Sequence, residues 1–252
     1  MTAPIALQLY TLRQAAAEQG FEKTVRQVAD MGYVGVEPAG FPGTTPEAAG
    51  KLFQELGLAV PSAHVALPVG DDKQQVLDTM AAIGSKHVVT GKGPDDFSTL
   101  DAIQATCELF NEANANVQAA GMQFGIHNHW WEYLKVGDRY AYEMMLDLLE
   151  PEITFEIDTY WVQVAGPNPA EIVALMGARS PLVHIKDGPA LKQEPMMPIG
   201  SGVLDWPSII QAGGSHTEWL IVELDRCATD MVEAVQSSYD YLVGGGLARG
   251  NQ

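Results

Sequence analysis

The chain has 252 residues, 46% of them hydrophobic and 18% charged, which is ample material for a core and argues against a disordered chain. Its 32 acidic and 14 basic residues give a formal net charge of −18, a surface that repels phosphate backbones and argues against a nucleic-acid-binding role. Two cysteines, Cys107 and Cys227, are too few for a disulfide framework, and no apolar run is long enough to span a bilayer.

Short β-branched or apolar runs recur along the chain, each followed by an amphipathic stretch. The first, at 5–10, follows Met1-Thr2-Ala3-Pro4 with no succession of basic, apolar and cleavage regions, so cytoplasmic residence is expected. The others lie at 33–37, 60–65, 87–90, 123–129, 153–158, 182–187 and 219–225. Helical spacing of apolar residues appears at 21–31, 46–56, 73–83, 100–120, 140–149, 169–176, 206–211 and 231–242. Thr45 before Pro46 and Glu47, and Asn168 before Pro169 and Glu171, are helix-start signals. Gly32, Gly57, Gly84 and Gly121 stand just past predicted helix ends. Eight strands alternating with eight helices predict parallel strands joined by crossovers, closed into a single (β/α)8 barrel over residues 1–252. An open doubly wound sheet is disfavoured, because Leu9-Tyr10-Thr11-Leu12-Arg13 stands where a glycine-rich phosphate loop would follow the first strand.

The most informative segment is Gln123-Phe124-Gly125-Ile126-His127-Asn128-His129, followed by Trp130-Trp131-Glu132-Tyr133. In an extended strand His127 and His129 would project to one side. Functional groups of such a barrel gather at the C-terminal ends of its strands. The polar residues that end strands five to eight are His127, Asp158, His184 and Glu223. Two imidazoles and two carboxylates suit Mn²⁺, Zn²⁺, Fe²⁺ or Co²⁺ better than Ca²⁺, and the lack of a thiolate argues against a structural zinc site. An ordinary strand cap or ion pair would explain one such residue, but not four in succession. Lys186 shares a face with His184 and could bind a substrate oxygen, with a salt bridge to Asp187 or Glu156 as the alternative. Glu156, two residues before Asp158, should also point inward and then needs a partner. Trp131 and Trp161 are placed to stack on the apolar faces of a sugar. Arg13 and Lys92 are cations at strand ends, whereas His87 and His216 fall away from the mouth.

The chain resembles the sugar phosphate isomerase/epimerase family, the xylose isomerase-like or AP endonuclease family 2 barrels. The resemblance rests on Leu7-Gln8-Leu9-Tyr10-Thr11-Leu12-Arg13, Gly35-Val36-Glu37, Ser62-Ala63-His64 and His127-Asn128-His129 with Glu132. It continues in Asp158-Thr159-Tyr160-Trp161, His184-Ile185-Lys186-Asp187, the run from Gly200 to Trp206, and Glu223. It implies one divalent ion at the barrel mouth, Mn²⁺ first, with Zn²⁺, Co²⁺, Fe²⁺ or Mg²⁺ as alternatives. Asp158, His184 and Glu223 take ligand positions by this resemblance, while Glu37 and His64 take positions that face substrate. The family's strand-five ligand is usually a glutamate that doubles as a base, and here His127 aligns with it. A metal-bound imidazole has committed its lone pair, so the acid/base must come from elsewhere. His129 is the first candidate, with Glu223 and Glu132 next. The run from Pro198 to Gly202 is expected to form a tight loop closing over the site.

The resemblance implies a metal-dependent sugar isomerase or epimerase that works through an enediolate on a keto-sugar or related polyol. A lyase or dehydratase, eliminating a group β to the carbonyl of an inosose or 3-keto-glycoside, is the alternative. An AP endonuclease-like repair enzyme and a catalytically inactive sugar-binding protein are the remote ones. The expected partner is a small-molecule carbohydrate, with no nucleic acid and no membrane, and a homo-oligomer is compatible with the sequence. The charge argument makes a direct prediction: no measurable binding to abasic duplex DNA at physiological salt, and no cleavage of it. Micromolar binding in a fluorescence-anisotropy titration at that salt would contradict it.

Overall fold

A computed structural model describes residues 2–251. In chain order the elements are β1 (Ile5–Gln8), α1 (Arg13–Gln19), α2 (Phe21–Asp30), β2 (Gly35–Glu37), α3 (Pro46–Glu55), β3 (Ala63–His64), α4 (Asp72–Ile83), β4 (His87–Thr90), α5 (Leu100–Gln118) and β5 (Gln123–His127). There follow β6 (Lys135–Val136), β7 (Arg139–Tyr140), α6 (Ala141–Leu148), β8 (Thr154–Asp158), α7 (Thr159–Ala165), α8 (Pro169–Met176), β9 (Leu182–Ile185), α9 (Trp206–Gly213), β10 (Trp219–Val222) and α10 (Met231–Gly244). Strands β6 and β7 form a small antiparallel hairpin. The other eight run parallel in the order β2-β1-β10-β9-β8-β5-β4-β3. The barrel comes near to closure where Ala59 accepts from Val36 N (2.9 Å) and donates to Val34 O (3.0 Å), with His64 N donating to Pro38 O (2.9 Å). No described helix is long and apolar enough to cross a membrane.

Several helices begin where the side-chain chemistry allows. Thr45 caps α3 by accepting from Ala48 N, and Asn168 caps α8 by accepting from Ala170 N and Glu171 N. Gly84 closes α4 in the left-handed region, φ +73°, which a residue with a side chain rarely enters. The apolar faces of the helices pack on the outside of the barrel as one large core. Inside the barrel, Ala6, Val89, Leu182 and Ile221 make a separate apolar layer. Alternation then puts Gln8, His184 and Glu223, each two residues further along its strand direction, directly above that floor. The polar site is thus stacked on a dry base.

Several boundaries differ from the sequence expectation, with β2 starting at Gly35, β3 reduced to Ala63–His64 and β9 stopping at Ile185. β5 stops at His127 rather than continuing to 129, β1 stops at Gln8, and β10 stops at Val222. After β1 the chain turns into a 3-10 segment because the Gln8 side chain accepts from Tyr10 N (3.0 Å). Helices α1 and α7 were not expected. α7 starts directly on β8 because Asp158 caps it, Oδ1 accepting from Trp161 N at 3.0 Å.

Helices α3 and α4 meet at Gly50, where an added Cβ would run into the Ala82 carbonyl oxygen and lie 3.1 Å from Ile83 Cα. Gly50→Ala gains about 1 kcal/mol of helix propensity but overpacks a rigid backbone contact at a cost of up to about 3 kcal/mol. The expected result is a net loss of about 1–2 kcal/mol in denaturant unfolding. Unchanged or raised stability would show that the two helices separate freely.

Candidate metal centre

The strand register assembles the site. His127 on β5 lies opposite Glu156 on β8, and Asp158 opposite His184 on β9. Glu223 follows β10 directly, its N–H bonded to Ile185 O at 3.1 Å. Asn128 ties two of these strand ends together: its Oδ1 accepts from Asp158 N (3.0 Å) and its Nδ2 donates to Asp158 O (3.2 Å). The middle residue of the His-Asn-His run is therefore a clamp.

His127, Asp158, His184 and Glu223 are all buried, and each offers a ligand atom within 4.8 Å of the others. His184 Nδ1 is 2.9 Å from Glu223 Oε2, and His127 Nε2 is 3.8 Å from Asp158 Oδ2. The buried Lys186 ammonium lies 2.9 Å from Asp158 Oδ2, 2.8 Å from Glu223 Oε2 and 3.2 Å from Asp225 Oδ2. Despite that proximity, Asp158 Oδ2 accepts no well-aligned hydrogen bond. The Lys186 ammonium offsets its charge, and the oxygen keeps a lone pair free for a further cation. The mixed nitrogen/oxygen set fits a divalent transition-metal ion.

Charge explains the shifts in this cluster. Burial pushes the Asp158 carboxyl up to about 6, against the pull of Lys186 and His184. Burial acts on Glu223 in the same sense, but Lys186 and His184 together hold it well below the usual carboxylate range. Burial would lower His184, yet Glu156 and Glu37 raise it well above an ordinary imidazole. His127 goes the other way, its burial outweighing the bond to Glu156.

A cavity of about 800 Å³ opens above the cluster, its lining including Tyr10, His64, Lys92, Trp131, Trp161 and Lys186. His129 also lines it, beyond the end of β5 rather than on the strand, with its ring at 89° to that of His127. It stacks on Trp131 at 4.2 Å, and burial followed by the Lys186 charge lowers its pKa to about 4. Trp130 is covered by Lys192 at 3.5 Å from the ring centroid. The loop from Gly188 to Leu204 is pinned at its base by Asp187, which accepts from Gly188 N, Gly200 N and the Trp206 indole N–H, each at 2.8–2.9 Å.

Two expected site residues are placed otherwise. Glu37, expected to face substrate, is fully buried and accepts from Gln8 Nε2 (2.6 Å) and Ser62 Oγ (2.5 Å), with His184 Nε2 at 2.7 Å. It lies below the cavity because β2 ends deep in the barrel. Glu132, expected as a further acid/base, is buried and set back from the cavity lining, with Oε2 accepting from His129 N at 2.9 Å. Burial pushes it up to about 8. Lys186 pairs with Asp158, Glu223 and Asp225, and neither Asp187 nor Glu156 is its partner. Arg13 is engaged with Tyr10 O and Asp225 O. His87 is bonded to Thr154 Oγ1 at 2.6 Å, away from the mouth. Gln8, Ser62 and Asp225 were not singled out from the sequence. The signal for Ser62 and Gln8 was their place on inward-facing strand positions, Ser62 two residues before His64.

A model of the xylose isomerase-like TIM barrel family matches residues 25–236, and the chain belongs to that family. Among solved structures, a sugar phosphate isomerase/epimerase from Parabacteroides distasonis is 24% identical, with a TM-score of 0.82 over 98% of this chain and 100% of that one. The probable 3-DHS dehydratase AsbF from Bacillus anthracis is 14% identical, with a TM-score of 0.76 over 95% and 98%. The IOLI protein, solved with a binding zinc atom, is 15% identical, with a TM-score of 0.72 over 97% of each chain. These likenesses show a shared fold. No curated protein matches the sequence.

Removing the ammonium from the cluster should be expensive. Lys186→Met leaves Asp158 and Glu223 buried without their cation, and metal-free protein should lose about 3–5 kcal/mol of stability. Divalent metal should restore part of the loss in a thermal melt. An unchanged midpoint would mean that Lys186 does not compensate these charges.

Proposed function

We propose that the chain is a divalent-metal-dependent sugar isomerase or epimerase acting on a keto-sugar or related polyol. The observation that carries the reading is the convergence of His127, Asp158, His184 and Glu223 directly beneath a tryptophan-lined cavity. Family membership and the isomerase/epimerase named for a similar barrel support it. The donor set favours Mn²⁺, with Zn²⁺, Co²⁺, Fe²⁺ and Mg²⁺ as alternatives.

When bound, the ion polarises a substrate carbonyl and stabilises negative charge on its oxygen. The chain's own residues do the rest. Trp131 and Trp161 present apolar faces against which a sugar ring packs. His129 removes the proton next to the carbonyl. Its lowered pKa keeps the ring neutral near pH 7, and its buried Nδ1 has no partner. Glu132 holds the backbone of that residue in place. Glu223, kept ionised by Lys186, is the second group able to exchange a proton at the cavity floor. Return of the proton to the neighbouring carbon gives isomerisation, and return to the opposite face gives epimerisation.

A metal-dependent lyase is the second reading. It is favoured by histidine at strand five, because a ligand imidazole cannot also accept a proton. Elimination needs one base and one acid rather than matched bases on two faces. The dehydratase among the similar barrels is compatible with it.

The roles separate in two variants. His127→Ala should lower both metal content and turnover. His129→Ala should keep the metal and lose turnover by about a hundredfold or more, together with solvent-deuterium exchange next to the carbonyl across a panel of keto-sugars and 3-keto-glycosides. Metal lost in His129→Ala and kept in His127→Ala would reverse the assignments. Full activity in both would overturn the catalytic reading of the segment.

A further inference from the structure

We propose that the substrate is an uncharged glycoside rather than a free or phosphorylated monosaccharide. Its keto-sugar unit lies over the metal centre, and its second sugar unit occupies an adjoining chamber over the ends of β1 to β4. The inference deepens the proposed function and rests on it.

The cavity above the metal cluster occupies about 800 Å³, already within the range of about 300–1,000 Å³ that encloses a whole small-molecule ligand. Beside it lies a second cavity of about 600 Å³, with Tyr10, Phe41, His64, Asp72, Gln75 and Thr79 in its walls. The two meet along Tyr10, Ala39, His64 and Gly91. Two of these four residues are small, and a Cβ added at Gly91 would lie 3.4 Å from His129 Cε1. The boundary therefore runs beside the proposed base. A monosaccharide held on the metal leaves the second chamber unfilled, whereas a glycoside fills both.

The walls of the second chamber suit a sugar ring. Tyr10 is 44% exposed, and the Arg13 guanidinium fixes its ring from 4.0 Å above the centroid. Phe41 is held by Phe21, their ring centroids 6.5 Å apart. Aromatic surfaces fixed in this way pack against the C–H faces of a sugar. Polar groups come from one face of α4, where Asp72, Gln75 and Thr79 are spaced by three and four residues. A carboxylate, an amide and a hydroxyl supply both the donors and the acceptors that sugar hydroxyls need.

Charge argues against a phosphorylated substrate. Among the described residues no Lys or Arg lines the second chamber, and Asp72 brings a negative charge to it. Lys186, at the floor of the first chamber, is taken up by Asp158, Glu223 and Asp225. Arg13 is taken up by Tyr10 O and Asp225 O. Lys92 remains in the lining of the first chamber, one ammonium against the roughly two negative charges of a phosphate. A neutral, hydroxylated second unit fits this half of the mouth.

The test offers the same keto-sugar in different forms to Mn²⁺-loaded enzyme. Fructose and fructose 6-phosphate are compared with the fructose disaccharides turanose, maltulose and palatinose, and 3-keto-glucose with 3-keto-maltose. Solvent-deuterium exchange next to the carbonyl, followed by NMR, gives kcat/KM for each. In one of the two series the glycoside should exceed the free and phosphorylated forms by about tenfold or more, because contacts to the remote unit raise kcat/KM. Gln75→Trp, an exposed position on α4 whose enlarged side chain fills the second chamber, should lower that preference by about tenfold, with circular dichroism confirming the fold. A free or phosphorylated sugar handled as well as its glycoside overturns the inference and leaves the metal-dependent isomerase standing. A preference that Gln75→Trp does not change places the second unit elsewhere and overturns the assignment of this chamber. Exchange with none of the probes overturns the reading of the metal centre itself.

Discussion

The burial of carboxylates around imidazoles at the middle of the barrel is the constraint on which the rest of the site depends. Glu37, Glu156, Asp158 and Glu223 are withdrawn from water, with His127 and His184 packed among them and Lys186 as the cation. Such a set is unstable unless its charges are paired closely and its lone pairs are taken up. The parallel ladder supplies the closeness: the pairing of His127 with Glu156, and of Asp158 with His184, is set by strand register alone. The positive charge comes from Lys186 and from the His184 ring, which, against burial, Glu156 and Glu37 raise well above an ordinary imidazole. A site of this composition could hold a divalent cation, which is what the proposed function requires of it.

Much of this was legible in the chain. Four successive apolar runs ending in His127, Asp158, His184 and Glu223 could be aligned at one mouth because a (β/α)8 barrel leaves few other arrangements, and the structure brings these four together. The position of His129 was harder to read. A run of alternating residues looks like strand until hydrogen bonding ends it, and here pairing stops at His127 while Asn128 bonds across to Asp158 instead. His129 consequently reaches the cavity from a loop and is aimed by stacking on Trp131. Glu37 lies deeper than the resemblance implied, for a different reason. Sequence shows that a residue ends a strand but not how deep that end lies, and β2 ends low enough for Glu37 to meet His184 from beneath.

Surrounding features serve the same centre. Asp158 contributes one oxygen to the cap of α7 and turns the other toward Lys186, so the start of a helix and the ligand set share a side chain. Asp187, one residue beyond Lys186, collects the N–H groups of Gly188, Gly200 and Trp206 and holds the neighbouring loop in position. Gly202 packs so tightly against Asp187 and the Gly188 backbone that no side chain fits there. In the proposed reading, histidine at strand five would separate ligand from proton acceptor and leave the acid/base work to the loop that carries His129.

The central claim is that one divalent ion sits among His127, Asp158, His184 and Glu223. Anomalous diffraction from crystals equilibrated with Mn²⁺ tests it most directly. The account predicts a peak about 2.0–2.3 Å from a ligand atom of each of these four residues. A peak elsewhere with these four unliganded, or no peak at saturating Mn²⁺, would contradict it.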